Sequence, residues 1–239
     1  MGESEALEMT DAALLATLQL ADSAFPSGAY TLSGGLETLI EQGIVHDAAG
    51  MAGCVRARLI GRSARGDLAA LVAAHRAASE RPADVATVVA IDRRLEASKL
   101  AAEERQGSRR VGRRIASEMI RLTASPALVA FVEAIEDGST PGTAAVSYGV
   151  AASALGIPER QAALAAAHAE ALGLLAVGVR LGTIGHGDQQ RILRDAREDI
   201  ARAVDIAEAT DWRTLTPFAP GLDIAMARHE TSLGRLFAS

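Results

Sequence analysis

The chain has 239 residues, room for one large helical domain or two small ones, and its 24 Lys and Arg against 30 Asp and Glu give a formal net charge of −6. That balance excludes a general nucleic-acid or anionic-membrane binder, though not a local basic patch. Hydrophobic residues make up 49% of the chain and aromatics only 3%, so the core must be built from Ala, Leu, Val and Ile, whose small side chains let helices approach closely.

Thr10 or Asp11 opens the first predicted helix, since either side chain accepts hydrogen bonds from free first-turn amides. Leu14, Leu15 and Leu18 recur on it at helical spacing. Phe25-Pro26-Ser27-Gly28 ends it, and a second helix carries Leu36, Leu39 and Ile40 as far as Gly43. Asp47 caps a third, with Met51, Cys54, Val55 and Leu59 on its apolar face, and Asp67 caps a fourth with Leu68, Leu71, Val72 and His75. Pro82 precedes Val85, Val88, Val89 and Leu95. The charged segment from Glu96 to Ile120 reads as one helix weakened by Gly107 and Gly112. Ser125-Pro126 opens a short helix closed by Asp137-Gly138, and another covers Val146 to Leu155.

The most apolar long segment, Ala162 to Ile184, contains His168, Glu170 and Arg180 and much alanine, so it reads as a buried bundle helix rather than a membrane span. Asp188 caps a helix bearing Ile192, Leu193, Ala196, Ile200, Val204 and Ala207. Strand-like alternation is absent, which predicts an all-α, single-domain bundle of eight to ten helices over residues 1–213. A C-terminal arm follows over 214–239, in which Pro217, Pro220 and Gly221 precede a short amphipathic stretch. Such an arm docks on its own domain or on a partner. The first twenty residues show no basic segment followed by an apolar run, so no secretory leader is expected. The single cysteine, Cys54, fits a reducing cytoplasm and sits on an apolar face as a structural thiol.

No residues form a Ser-centred elbow, a phosphate loop, a dinucleotide fingerprint or an HExxH motif. His186 with Asp188, and His229 with Glu230, are weak candidate ligands for a divalent metal such as nickel or zinc. An enzyme reading would need at least three of these four to converge on an open metal position. Arg109, Arg110, Arg113 and Arg114 share a helix face. That stripe is either a solvated surface or a docking face, and for docking a protein partner suits the negative net charge better than a phosphate backbone.

The stretch LLATLQLADSAFPSGAYTLSGGLETLIEQGIV resembles the N-terminal signature of the urease accessory protein F (UreF) family, matching at Phe25, Pro26, Gly28, Tyr30, Ser33, Gly35, Leu36 and Glu37. EERQGSRR resembles that family's charged mid-chain segment at Glu103, Arg105 and Ser108. VRLGTIGHGDQQRIL resembles a further family run at Arg180, Leu181, Gly185 and Gln190, with Thr183 in place of proline and His186 in place of glutamine. APGLDIAMARHETSLGRLFAS is similar to the family's C-terminal arm at Pro220, Asp223, Met226, His229, Glu230, Arg235, Leu236, Phe237 and Ser239.

The resemblance implies an all-helical, dimeric accessory protein that is not itself a catalyst. It implies binding to urease accessory protein D (H in some organisms), recruitment of the GTPase accessory protein G, and delivery of nickel to apo-urease. Nickel is then handled by the complex and not held stably by this chain, and the matched residues become candidate partner contacts. For the Phe25–Gly35 turn two readings stand: bare backbone brought against a neighbouring helix or a partner, with Glu37 aimed from the second helix, or internal packing alone.

Overall fold

A computed structural model describes residues 9–28, 33–123 and 125–229. Local chemistry sets the helix starts. Thr10 accepts a hydrogen bond from the Ala13 amide at 3.2 Å and opens α1, Asp11–Ala21. Gly35, at φ +83°, precedes α2, Leu36–Glu41. Asp47 accepts from the Gly50 amide at 2.8 Å and opens α3, Ala48–Arg56. The chain then widens, without a break, into a π-helical turn over Ala57–Ser63, where the Ala64 amide reaches back five residues to the Leu59 carbonyl at 2.9 Å.

The central layer comprises α4, Asp67–Ser79; α5, Val85–Ser98; α6, Ala102–Leu122; α7, Pro126–Glu136; and α8, Ala144–Ala154. The long α9, Glu159–Arg180, leads to α10, His186–Asp195, and α11, Arg197–Ala209. A single 3₁₀ turn, Trp212–Thr214, precedes α12, Pro220–His229. The described residues thus hold twelve α-helices and no strand, and the fold is all-α. The helices beyond the eight to ten expected come from a break at Ala196, which parts α10 from α11, and from the arm's own α12.

Three details depart from the sequence reading. Asp67 is the first residue of α4 rather than its cap, and its carboxylate takes Lys99 Nζ at 2.7 Å. The charged helix does not begin at Glu96: α5 runs on to Ser98, and α6 starts only at Ala102. Asp188 lies in the first turn of α10, which starts at His186 after Gly185.

The core centres on α4, where Leu68 to Val72, Ala74, His75, Ala77 and Ala78 are all buried and α5, α8, α9 and α11 pack round it. The tightest approach is to α8: a Cβ on Gly149 would collide with the Leu71 carbonyl oxygen, so the glycine is what lets the two backbones touch. Gly112 plays the same part on α6, beneath the Gly142–Thr143 backbone. That loop is itself tied down by Asp92 of α5. Its fully buried carboxylate accepts from the Gly142 amide at 2.6 Å, the Thr143 amide at 2.8 Å, the Thr140 hydroxyl at 2.7 Å and the Thr143 hydroxyl. Four donors are what a buried carboxylate needs to offset its lost hydration.

By length and composition, α9 is the one described helix apolar enough to cross a membrane. Here it is a core helix, burying Ala162, Ala163, Ala167, Ala171, Leu174 and Leu175 against neighbours on several sides. The described part of the arm seats on its own body. Its Thr216 amide donates to the Arg65 carbonyl at 3.1 Å and its Phe218 amide to Gly61 at 3.0 Å, after which α12 lies on α2.

Two glycine substitutions should act in opposite directions in urea denaturation. Gly149→Ala must push α4 and α8 apart and is expected to lower stability by about 1–3 kcal/mol. Gly173→Ala, where an added Cβ meets nothing within 4 Å, should raise it by roughly 0.5–1 kcal/mol through helix propensity alone.

Candidate functional site

Arg62 is the largest side chain buried to below 2% exposure. The apolar stripe of α3 runs through Met51, Val55 and Leu59 into the π-turn, and Arg62 stands where its next member would fall. A buried guanidinium must be met by carboxylates, and it is, from two directions. One of its terminal nitrogens donates to Asp223 of α12, the other to Glu104 in the first turn of α6. Glu104 also takes Lys99 Nζ at 3.2 Å, and Lys99 reaches Asp67 at 2.7 Å. Two buried cations and three carboxylates thus join α4, the α5–α6 link, α6, the π-turn and α12.

Burial alone would raise the Glu104 carboxyl, but Lys99, Arg62 and Arg58 outweigh it and bring it from 4.5 to about 2. Burial likewise opposes the charge on Lys99, and Asp67 and Glu104 overcome it, so the ammonium is held above its ordinary value. On the neighbouring flank Arg58 Nε donates to Glu170 at 2.6 Å, and the Ser63 hydroxyl joins the same oxygen at 2.8 Å.

A second buried group lies at the other end of α12. His229, 1% exposed, has Nε2 3.1 Å from Glu37 of α2 and Nδ1 2.9 Å from Glu103 of α6. Between the two clusters, Met226 and the Leu222 carbonyl lie 3.0 Å from where a Gly35 Cβ would sit. At φ +83° that position also favours glycine for its backbone. The glycine therefore serves a neighbouring helix of the same chain: backbone meets backbone where α2 and α12 cross.

Of the residues singled out from the sequence, Gly35, Glu37, Glu103, Asp223, Met226 and His229 converge on this junction, which Ser33 adjoins as a fully buried residue. Arg105 and Ser108 lie along the same α6 but make other contacts. Arg105 donates to the Lys99 and Leu100 carbonyls at 2.7 and 2.8 Å, and Ser108 accepts from the Ala144 amide at 3.2 Å. Phe25, Pro26 and Gly28 form a turn elsewhere on α6, where Arg114 Nε donates to the Pro26 carbonyl at 3.2 Å. Arg180 ends α9, and Gln190 is exposed on α10, so neither joins the junction. Tyr30, Glu230, Arg235, Leu236 and Phe237 lie outside the described residues.

The candidate metal ligands divide. His186 is exposed, Asp188 pairs with Arg191 at 2.7 Å, and His229 is engaged between its two glutamates. Among the described residues no three His, Cys, Asp or Glu side chains gather as a metal-holding group. Chemically the junction is a fastening: buried Arg62 and Lys99 paired with carboxylates, and a buried histidine held between two glutamates.

The sequence reading missed Arg62, Lys99, Glu104 and Asp92. A signal existed for two of them. Arg62 continues the stripe of Met51, Val55 and Leu59, while Asp92 sits among Val88, Ile91 and Leu95. A charged residue in register with an apolar stripe marks a buried ion pair or cap.

A sequence model of the UreF family matches residues 45–197. The urease accessory protein UreF of Yersinia pseudotuberculosis serotype IB (strain PB1/+) is 34% identical over 228 residues, covering 95% of this chain and 98% of that protein. The proteins of the same description from Yersinia pestis (strain Pestoides F) and Yersinia enterocolitica serotype O:8 are 33% and 32% identical over the same coverage.

Arg62→Met should strand Asp223, lower stability by about 3–5 kcal/mol in urea denaturation and open the segment after Ala209 to proteolysis. The Glu104 carboxyl is depressed in the folded state, so its contribution is complete above pH 4.5 and is lost as pH falls towards about 2. Acid titration of Glu104→Gln, followed by circular dichroism, should therefore show a flatter loss of stability across that window than the parent chain.

Proposed function

Because this chain belongs to the UreF family of urease accessory proteins, which assist urease and are not enzymes, we propose that it is an adaptor in the complex that loads nickel into apo-urease. In this reading it binds accessory protein D (H in some organisms) and recruits the GTPase accessory protein G in the cytoplasm, with nickel as cargo of the assembly. A second copy of the chain completes the adaptor, and the exposed Leu14, Leu15 and Leu18 of α1 offer an apolar face for it.

The observation that carries the reading is the way α12 is divided. Asp223, Met226 and His229 turn inward and fasten the helix, while Phe218 just before it and Ile224 on it stay 67% and 55% exposed. A helix fixed so firmly, with large apolar side chains left outside, suits a handle for another protein. The GTPase would be governed through a difference in affinity between its nucleotide states, since a partner shifts an equilibrium only by such a difference.

Reconstitution tests this. Apo-urease, proteins D and G, nickel, bicarbonate and GTP should activate urease faster with this chain than without it, and equal rates would refute the assignment. A Phe218→Asp/Ile224→Asp double variant should keep its helical content by circular dichroism yet fail to co-purify with protein D.

A further inference from the structure

Between α5 and α6 the chain runs extended, with φ −84° and ψ 119° at Lys99 and φ −75° and ψ 136° at Ala101. Successive side chains of an extended segment point to opposite sides. Lys99 and Ala101 turn inward and are buried, while Leu100 is held out at 74% exposure, more than any other large apolar side chain described. The link has little freedom. Lys99 Nζ is fixed by Asp67 and Glu104, and Arg105 of α6 donates to both the Lys99 and the Leu100 carbonyls. A side chain presented on so rigid a backbone gives up little entropy when a partner covers it.

The arm shows the same alternation: Leu215, Pro217 and Ala219 lie inward, Thr216 and Phe218 outward. Link and arm meet the body at consecutive residues. Pro217 Cβ comes within 3.0 Å of where a Cβ on Gly66 would sit, and Lys99 holds Asp67, the next residue, at 2.7 Å. Leu100 and Phe218 thus each follow a side chain anchored on one short stretch of backbone, and both remain exposed. Arg65 begins that stretch. Its carbonyl takes the Thr216 amide at 3.1 Å, its side chain is exposed, and among the described residues no carboxylate pairs with it. Single apolar residues scattered over a surface are ordinary, whereas two on fixed supports beside a cation make a footprint of defined chemistry.

We propose that Leu100 is a second anchor for the protein that takes the α12 handle. One apolar surface of that partner covers it together with Phe218 and sets a carboxylate against Arg65. The inference rests on the adaptor reading, in which the partner is accessory protein D, and extends its footprint from the arm to the α5–α6 link.

Protein D titrated against the full chain, followed by isothermal calorimetry, gives the reference affinity. Leu100→Asp should weaken it about tenfold or more and Leu100→Ala by less, with helical content by circular dichroism unchanged in both. Arg65→Gln should weaken it severalfold and make it fall less steeply as salt rises. Leu122→Asp makes the same change at an exposed leucine about 30 Å away along α6, and should leave binding within about twofold. Undiminished binding by Leu100→Asp, or an equal loss with Leu122→Asp, would overturn the anchor and leave the adaptor reading standing. An unchanged salt slope in Arg65→Gln would remove the carboxylate from the footprint. A parent chain that does not bind protein D would overturn both readings.

Discussion

One buried cation organises much of the molecule. A guanidinium in a protein interior has lost most of its hydration, and only carboxylates brought to it can make up the difference. Arg62 imposes that demand from inside the π-turn, and Glu104 and Asp223 answer it from α6 and α12. Glu104 serves a second cation as well, Lys99 at 3.2 Å, which in turn holds Asp67 at the start of α4. The positions of five segments thus follow from a chain of pairings, each needed to keep the next from being an isolated charge. The widened turn contributes directly, since its Gly61 carbonyl, with that of Arg65 just beyond it, takes an amide of the incoming arm.

What the sequence made legible, and what it hid, follows the range of the forces involved. Helix starts fixed by neighbours three residues apart, such as Asp47 with Gly50 or Pro126 at the head of α7, could be read directly. The all-α class followed from periodicity alone, and the family resemblance from short ordered motifs. Asp67 misled because a cap and an ion-pair partner are the same residue type in the same place, and its real partner lies 32 residues away. The place of the break between α5 and α6, expected at Glu96, was hidden for a similar reason: Lys99 leaves helical geometry to reach Asp67 and Glu104, a tertiary demand that local propensity does not register. Glu37, Glu103, Asp223 and His229 were recognised as motif residues, yet nothing in their spacing said that they meet one another. Arg62 was the most readable omission, being a charge in register with an apolar stripe.

Helix α6 carries both kinds of surface. Its first turn gives Glu103 and Glu104 to the buried fastening of α12, and two to three turns later its outer face lines, with the Pro26–Gly28 turn, a surface groove through Arg110, Arg113 and Arg114. About ten residues of helix, roughly 15 Å, separate the two. A single rigid element therefore sets the spacing between the arm and the groove, and Gly112, at its middle, sets the depth at which the helix rests against the Gly142–Thr143 backbone.

The bond between Arg62 and Asp223 spans 161 positions of sequence. During synthesis the arginine therefore emerges long before its second carboxylate exists, and the π-turn is made without the group that completes it. Closing so large a loop comes late in folding, since its entropy is repaid only once the intervening helices have collapsed. Until that moment the nascent body carries a half-compensated charge beside an uncovered Gly35, a feature by which an unfinished chain differs from a finished one.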